Sequence, residues 1–168
     1  SLTSTAGSIT DSDTSSDASA NLIAAQITLE SANGIGASGA GDLDTTASTL
    51  VSSVTGSGNI FITDSAAVSV GATSTGSGDI TIGTSDGILT VSGTVNSSSG
   101  NLALTGDDGV THTATGDLST GGSGTVTVIA SAGDVTMADG TTYTTAGGTV
   151  SVTGASNVAL GQIVNSSG

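Results

Sequence analysis

Few side chains in this sequence could carry out acid–base chemistry, and their spacing narrows the choice further. His112 is the single histidine and Glu30 the single glutamate. His112 lies in the run Val110-Thr111-His112-Thr113, flanked by threonines and with no identifiable partner, so it reads as a surface or ladder histidine rather than a general base. Glycoside hydrolysis would need two carboxylates facing each other across a cleft. Asp107-Asp108 and Asp42/Asp44 are the available pairs, and adjacent acids in glycine-rich loops are more often turn residues. No catalytic residue is expected, and the chain reads as a non-enzyme.

Ligand-binding patterns are equally sparse. Asp11, Asp13 and Asp17 in DSDTSSD place hard oxygen donors at short spacing and are the candidate calcium ligands. The stretch lacks the Gly and distal Glu of an EF-hand loop, and a solvated polar loop is the competing reading. In GGSGTVTVI, starting at Gly121, Val126 stands where a nonapeptide calcium repeat needs its ligand Asp. Calcium is the one cofactor the residues suggest. Outward threonines could order water on a flat face, as in ice-binding proteins. The candidates Thr111-x-Thr113, Thr125-x-Thr127 and Thr142-x-Thr144 fall at different positions of their repeats. Asn96-Ser97-Ser98 and Asn165-Ser166-Ser167 match the glycosylation sequon and equally suit plain turns.

The framework that holds these residues is aliphatic and acidic. Of the 168 residues 35% are hydrophobic, and Phe61 and Tyr143 are the only aromatics, which leaves little for a carbohydrate groove. Lys and Arg are absent against 14 acids, a net charge of -14. Such a chain cannot neutralise a phosphate backbone or an anionic lipid surface, so nucleic acid is excluded as a partner. No apolar run is long enough to insert in a membrane as a helix. There is no cysteine, hence no disulfide framework. The start at Ser1 without Met suggests a processed or internal piece whose export signal lies elsewhere.

An internal repeat organises the chain. GNIFI, GDITI, GNLAL, GTVTV and GTVSV begin at Gly58, Gly78, Gly100, Gly124 and Gly148, so successive starts differ by 20, 22, 24 and 24 residues. Each is followed by a second alternating run, beginning at Val68, Ile88, Val110, Val135 and Val158, and most by a third apolar point, at Val95, Leu118, Tyr143 or Ile163. Three short strands per turn of about 20–24 residues is the rung of a parallel β-helix, an all-β solenoid. Alternation then turns Ile60, Ile62, Ile80, Ile82, Leu102, Leu104, Val126, Val128, Val150 and Val152 inward. Gly, Asn and Asp at the corners are expected to supply left-handed backbone for sharp turns. The absence of proline suits strands paired on both sides.

Two regions follow: irregular N-terminal rungs over 1–57 and regular rungs over 58–168, in one continuous solenoid. NLIAAQITLE (21–30) reads as strand, and Gly7-Ser8-Ile9 as a rung start. Gly168 followed by Ser1-Leu2 would spell a further rung start like GNLAL. The expectation is a stretch that continues end to end, either in a longer tandem chain or as a stacked homopolymer. Open strand edges at both ends would need covering.

The GNIFI, GDITI and SGTV phrases, with NGIG (33–36) leading into LDTTASTL (43–50), resemble the repetitive shaft of filamentous-haemagglutinin-like bacterial surface adhesins. The likeness spans most of the chain with degenerate motifs. It implies a right-handed parallel β-helix, exported and displayed at the cell surface as a fibre for attachment or matrix building. The chain departs from that family's secretion domain, which carries Asn-Pro motifs. Pectate-lyase-like β-helices are a poor match because their catalytic base is basic. The expected function is therefore an extracellular structural fibre or adhesin shaft with end-to-end or lateral self-contacts. The alternative is a β-helical module binding ice, calcium or carbohydrate.

Overall fold

The computed structural model describes residues 1–12 and 19–166. It is an all-β solenoid of about seven turns, without a helix among the described residues. The first coils hold β1 (Leu2–Ser4), β2 (Ser8–Ile9), β3 (Leu22–Ile23), β4 (Gln26–Ser31), β5 (Gly34–Ile35), β6 (Leu43–Thr46) and β7 (Thr49–Val54). The middle holds β8 (Ile60–Asp64), β9 (Val68–Thr75), β10 (Ile80–Thr84), β11 (Ile88–Val91), β12 (Val95–Ser97), β13 (Leu102–Gly106), β14 (Gly109–His112) and β15 (Leu118–Thr120). The last coils hold β16 (Val126–Ala130), β17 (Val135–Met137), β18 (Thr142–Thr145), β19 (Val150–Gly154), β20 (Val158–Ala159) and β21 (Gln162–Asn165).

These strands form two sheets of 12 and nine strands in which neighbours come from successive coils. Every GNIFI-type motif lies in the smaller sheet, where β8, β10, β13, β16 and β19 pair parallel with Ile60, Ile80, Leu102, Val126 and Val150 in one column. Ile62, Ile82, Leu104, Val128 and Val152 form the next column. Strand alternation puts both columns inside, where like stacks on like about 4.8 Å apart. Ile60, Ile80, Ile82, Leu102, Val126 and Val128 are fully buried. Val150 and Val152 depart from expectation in being only half-buried, because β19 has a neighbour on one side alone.

The number of strands per coil varies. In the larger sheet β4, β7 and β9 are long single strands, whereas above them that face divides into the stacks β11–β14–β17–β20 and β12–β15–β18–β21. The coil that starts at Gly58 therefore has two long strands rather than the expected three. The smaller sheet divides in the opposite direction: below β8 it splits into β5–β2 and β6–β3, with 36–42 looped out between β5 and β6. Val95, Leu118, Tyr143 and Ile163 share a column of the larger sheet, as their spacing predicted. NLIAAQITLE supplies β3 and β4, and Ile9 takes its place below Ile35 and Ile60. Leu2, however, pairs with Leu29 in the larger sheet. It belongs to the third-strand column and not to the GNLAL column that the Gly168–Ser1 phase suggested.

The repeat glycines act through space rather than torsion. None of Gly58, Gly78, Gly100, Gly124 and Gly148 has a positive φ, and no non-glycine residue described does either. A Cβ on Gly100 would lie 2.0 Å from the carbonyl oxygen of Gly78, and one on Gly148 1.8 Å from that of Gly124. Backbone passes over backbone at this corner, which only Gly permits. Left-handed backbone is confined to other glycines, such as Gly36, Gly39 and Gly87. The same corner is pinned from inside by hydroxyls: Thr75 Oγ1 donates to Gly58 O at 2.6 Å, Ser97 Oγ to Gly78 O at 2.8 Å and Thr120 Oγ1 to Gly100 O at 2.6 Å.

Candidate functional site

His112 is an interior residue rather than a surface one. It is 1% exposed in β14, in the inward column between Val91 and Met137. Nδ1 lies 2.7 Å from Gly116 O, and Nε2 lies 2.6 Å from the hydroxyl of Tyr143 on β18. A carbonyl can only accept, so Nδ1 carries the proton and Nε2 accepts from the Tyr143 O–H. The rings meet edge to face with centroids 5.1 Å apart. Burial lowers the His112 pKa, opposed by the Gly116 carbonyl and the charge of Asp117. Burial also raises that of Tyr143. Both groups are thus neutral partners in a satisfied core pair. Parity was the available signal: His112 is two residues from the inward Val110 and shares its face.

The same parity places Asp64, two residues after Ile62, inside the solenoid, where sequence reasoning did not look. It is fully buried. Oδ2 accepts from Thr45 Oγ1 at 2.7 Å and Ala47 N at 2.9 Å, and Oδ1 accepts from Ala66 N at 3.1 Å. The carboxylate thus clasps the corners of two successive coils through three accepted hydrogen bonds.

Several other acids sit at or beside corners. The Asp107 and Asp108 amides join the turn, donating to Thr84 Oγ1 at 3.1 Å and Gly87 O at 3.1 Å. Asp42 accepts from Thr63 Oγ1, and the Asp44 amide donates to Asn21 Oδ1 at 2.8 Å. Of the candidate calcium ligands, Asp11 accepts from Asn21 Nδ2 at 3.1 Å, while Asp13 and Asp17 lie outside the described residues. Among the described residues no group of three acids or histidines could hold a metal ion.

Corner side chains also form polar ladders up the solenoid. Asn59 Oδ1 accepts from Asp79 N at 2.9 Å, Asp79 Oδ1 from Asn101 N at 2.7 Å, and Asn101 Oδ1 from Thr125 N at 3.0 Å. Asp117 caps Thr142 N at 2.7 Å and Asp134 caps Asn157 N at 2.9 Å in the same sense. Each side chain serves the backbone of the coil that follows, which ties coils together at corners where strand pairing lapses.

Between the acidic corners the sheet faces are uncharged and hydroxylated over most of their length. Ser69, Thr90, Thr111 and Thr136 stack in one outward column. Ser53, Ser74, Asn96, Ser119 and Thr144 stack in another. The three Thr-x-Thr candidates fall on three different stacks, β14, β16 and β18, so they form no common ladder. Asn96, the first sequon residue, lies in the second column with its Nδ2 3.4 Å from Ser119 O. Asn165 donates to Gly148 O at 3.1 Å, and Ser167 of its sequon lies outside the described residues.

No family model, curated protein or solved structure matches the chain.

Proposed function

We propose that this chain is a structural shaft segment: a stiff acidic rod at the cell surface or in the extracellular matrix, of the kind that carries filamentous-haemagglutinin-like adhesins. The observation that carries this reading is the continuity of the inward columns. One column runs Ile9, Ile35, Ile60, Ile80, Leu102, Val126, Val150 without a break. In such a quasi-one-dimensional fold each coil contacts only its neighbours, and length is gained without new packing problems. The absence of Lys and Arg leaves no site for trypsin-like proteases, which suits persistence outside a cell. The three buried ionisable residues singled out above, His112, Tyr143 and Asp64, serve structure, which supports a non-enzymatic role.

Cryo-electron microscopy of native material tests it. Fibres with a layer spacing of about 4.8 Å along the axis are expected. Discrete capped particles would overturn the shaft reading.

One observation favours a second reading, a water-ordering face. The Ser69–Thr90–Thr111–Thr136 column is in register, uncharged and on a regular sheet. Inhibition of ice recrystallisation by the folded chain, lost in Thr111→Lys, would support it, and the shaft reading predicts no inhibition.

A further inference from the structure

The apolar surface of this rod is concentrated at its two ends. Of the seven large hydrophobic residues exposed among those described, five lie on the terminal coils: Leu2 and Ile23 at one end, Val158, Leu160 and Ile163 at the other. At the first end β1 pairs only with Leu29–Ser31 of β4. The other half of the β4 edge, Gln26–Thr28, borders an open notch of about 230 Å³ rimmed by Leu2, Leu22 and Ile23. A strand seated there must place an apolar side chain under Ile27 and continue with another under Leu29.

The far end carries such a strand. Ile163 belongs to the column of Leu29, through Ser52, Thr73, Val95, Leu118 and Tyr143. Continuing the pairing of β17 with β20 by one residue sets Leu160 in the column of Ile27, through Leu50, Val70, Val91, His112 and Met137. Leu160 and Ile163 are separated by two residues where Ile27 and Leu29 are separated by one. The molecule already accommodates that mismatch: Leu50 and Ser52 of β7, one residue apart, pair with Val70 and Thr73 of β9, two apart, through a register shift.

We infer that the partner of the β4 edge is a second copy of this chain, whose β20 fills the notch and whose β21 replaces β1 beneath β4. Resting on the shaft reading, this gives the rod a strand-exchanged end-to-end junction. Gln162–Ser166 of the incoming copy takes the place of Ser1–Thr5, and β19 comes to lie beneath β2 and β3, with Val150 under Ile9. The solenoid then passes from copy to copy with its columns unbroken. The net charge of -14 opposes side-by-side approach, whereas the junction is made of backbone pairing and aliphatic stacking.

The chain has no cysteine, so Glu30→Cys/Val164→Cys makes a clean probe. Exchange brings residue 164 to the position of Thr3, the present neighbour of Glu30. A thiol-bridging reagent spanning about 5 Å, one strand spacing, should give a ladder of covalent oligomers. Leu160→Asp should abolish the ladder. Leu2→Asp, which loosens β1, should lengthen it, with wild-type secondary structure by circular dichroism in both variants. Shortening by Leu2→Asp would overturn exchange, because β1 would then be part of the junction. Monomers that stay rod-shaped in small-angle scattering overturn the junction and leave the shaft reading standing, whereas compact monomers overturn both.

Discussion

The lower and upper coils solve the same packing problem in opposite ways. Below β8 the larger sheet is unbroken and the smaller one is interrupted by the 36–42 loop, whereas from β10 upward the smaller sheet is unbroken and the larger one is bent between two stacks. The lesson is that a coil can gain residues at a corner provided its inward columns are kept. Where the corner grows, the interior must grow with it. Ser52 and Thr73, neighbours in one column at 3.3 Å between hydroxyls, suffice in the lower coils. In the upper coils, where paired residues Leu118 and Tyr143 are 25 positions apart, the same column holds Tyr143, supported by His112.

The comparison is broken most severely by exchanging side-chain volumes within that column. Tyr143→Ala should cost about 3–5 kcal/mol, measured by chemical denaturation. Ser52→Tyr should also destabilise, by about 1–3 kcal/mol, since the narrow coil has no room to yield. The close backbone crossing, shared by both regions, makes a similar demand: Gly100→Ala should cost about 3 kcal/mol or more, because its Cβ would meet carbonyl oxygen. Gly39→Ala, in open space with φ +72°, should cost only about 1–2 kcal/mol. Asp64→Ala would leave Thr45, Ala47 and Ala66 without their acceptor and should cost about 3 kcal/mol, lowering the thermal midpoint.

Acid sharpens the contrast because it acts on the upper coils. The His112 pKa is lowered in the folded chain, so the unfolded chain binds the proton more readily. Stability from this group is fully present above the unfolded value of about 6.5 and declines as pH falls below it. Protonated Nε2 becomes a donor, and the Tyr143 hydroxyl must then find another acceptor in an apolar interior. His112→Gln should flatten the fall of the denaturation midpoint below about pH 6.5. The smallest effect belongs to the outward columns. Thr136→Val should change stability by less than about 0.5 kcal/mol, because that side chain faces water in either state.

Much of the fold was legible because parallel stacking places like residues on like. A Gly followed by alternating aliphatics, repeated every 20 to 24 residues, placed the inward columns of the β8–β10–β13–β16–β19 stack of the smaller sheet to the residue. Val95, Leu118, Tyr143 and Ile163 disclosed the third stack although their loops differ in length. The first coils were less legible. Their insertions place Ile35 and Leu43, eight positions apart, under Ile60 and Ile62, and no local pattern announces that. Two interior polar residues were missed because His112 was judged by residue type and Asp64 was passed over, when their parity with Val110 and Ile62 already turned them inward.

By itself the sequence determined the all-β solenoid, its period, its aliphatic columns and its net charge of -14, since these follow from alternation, repetition and composition. Only the tertiary structure decided that the repeat glycines answer to a backbone crossing rather than to a left-handed turn. It likewise decided that His112 faces Tyr143, that Asp64 clasps two coils, and that Leu2 lies under Leu29. Each of these depends on which residues of different coils come into register, and register is settled by corner lengths and packing across the interior, beyond the reach of any local pattern.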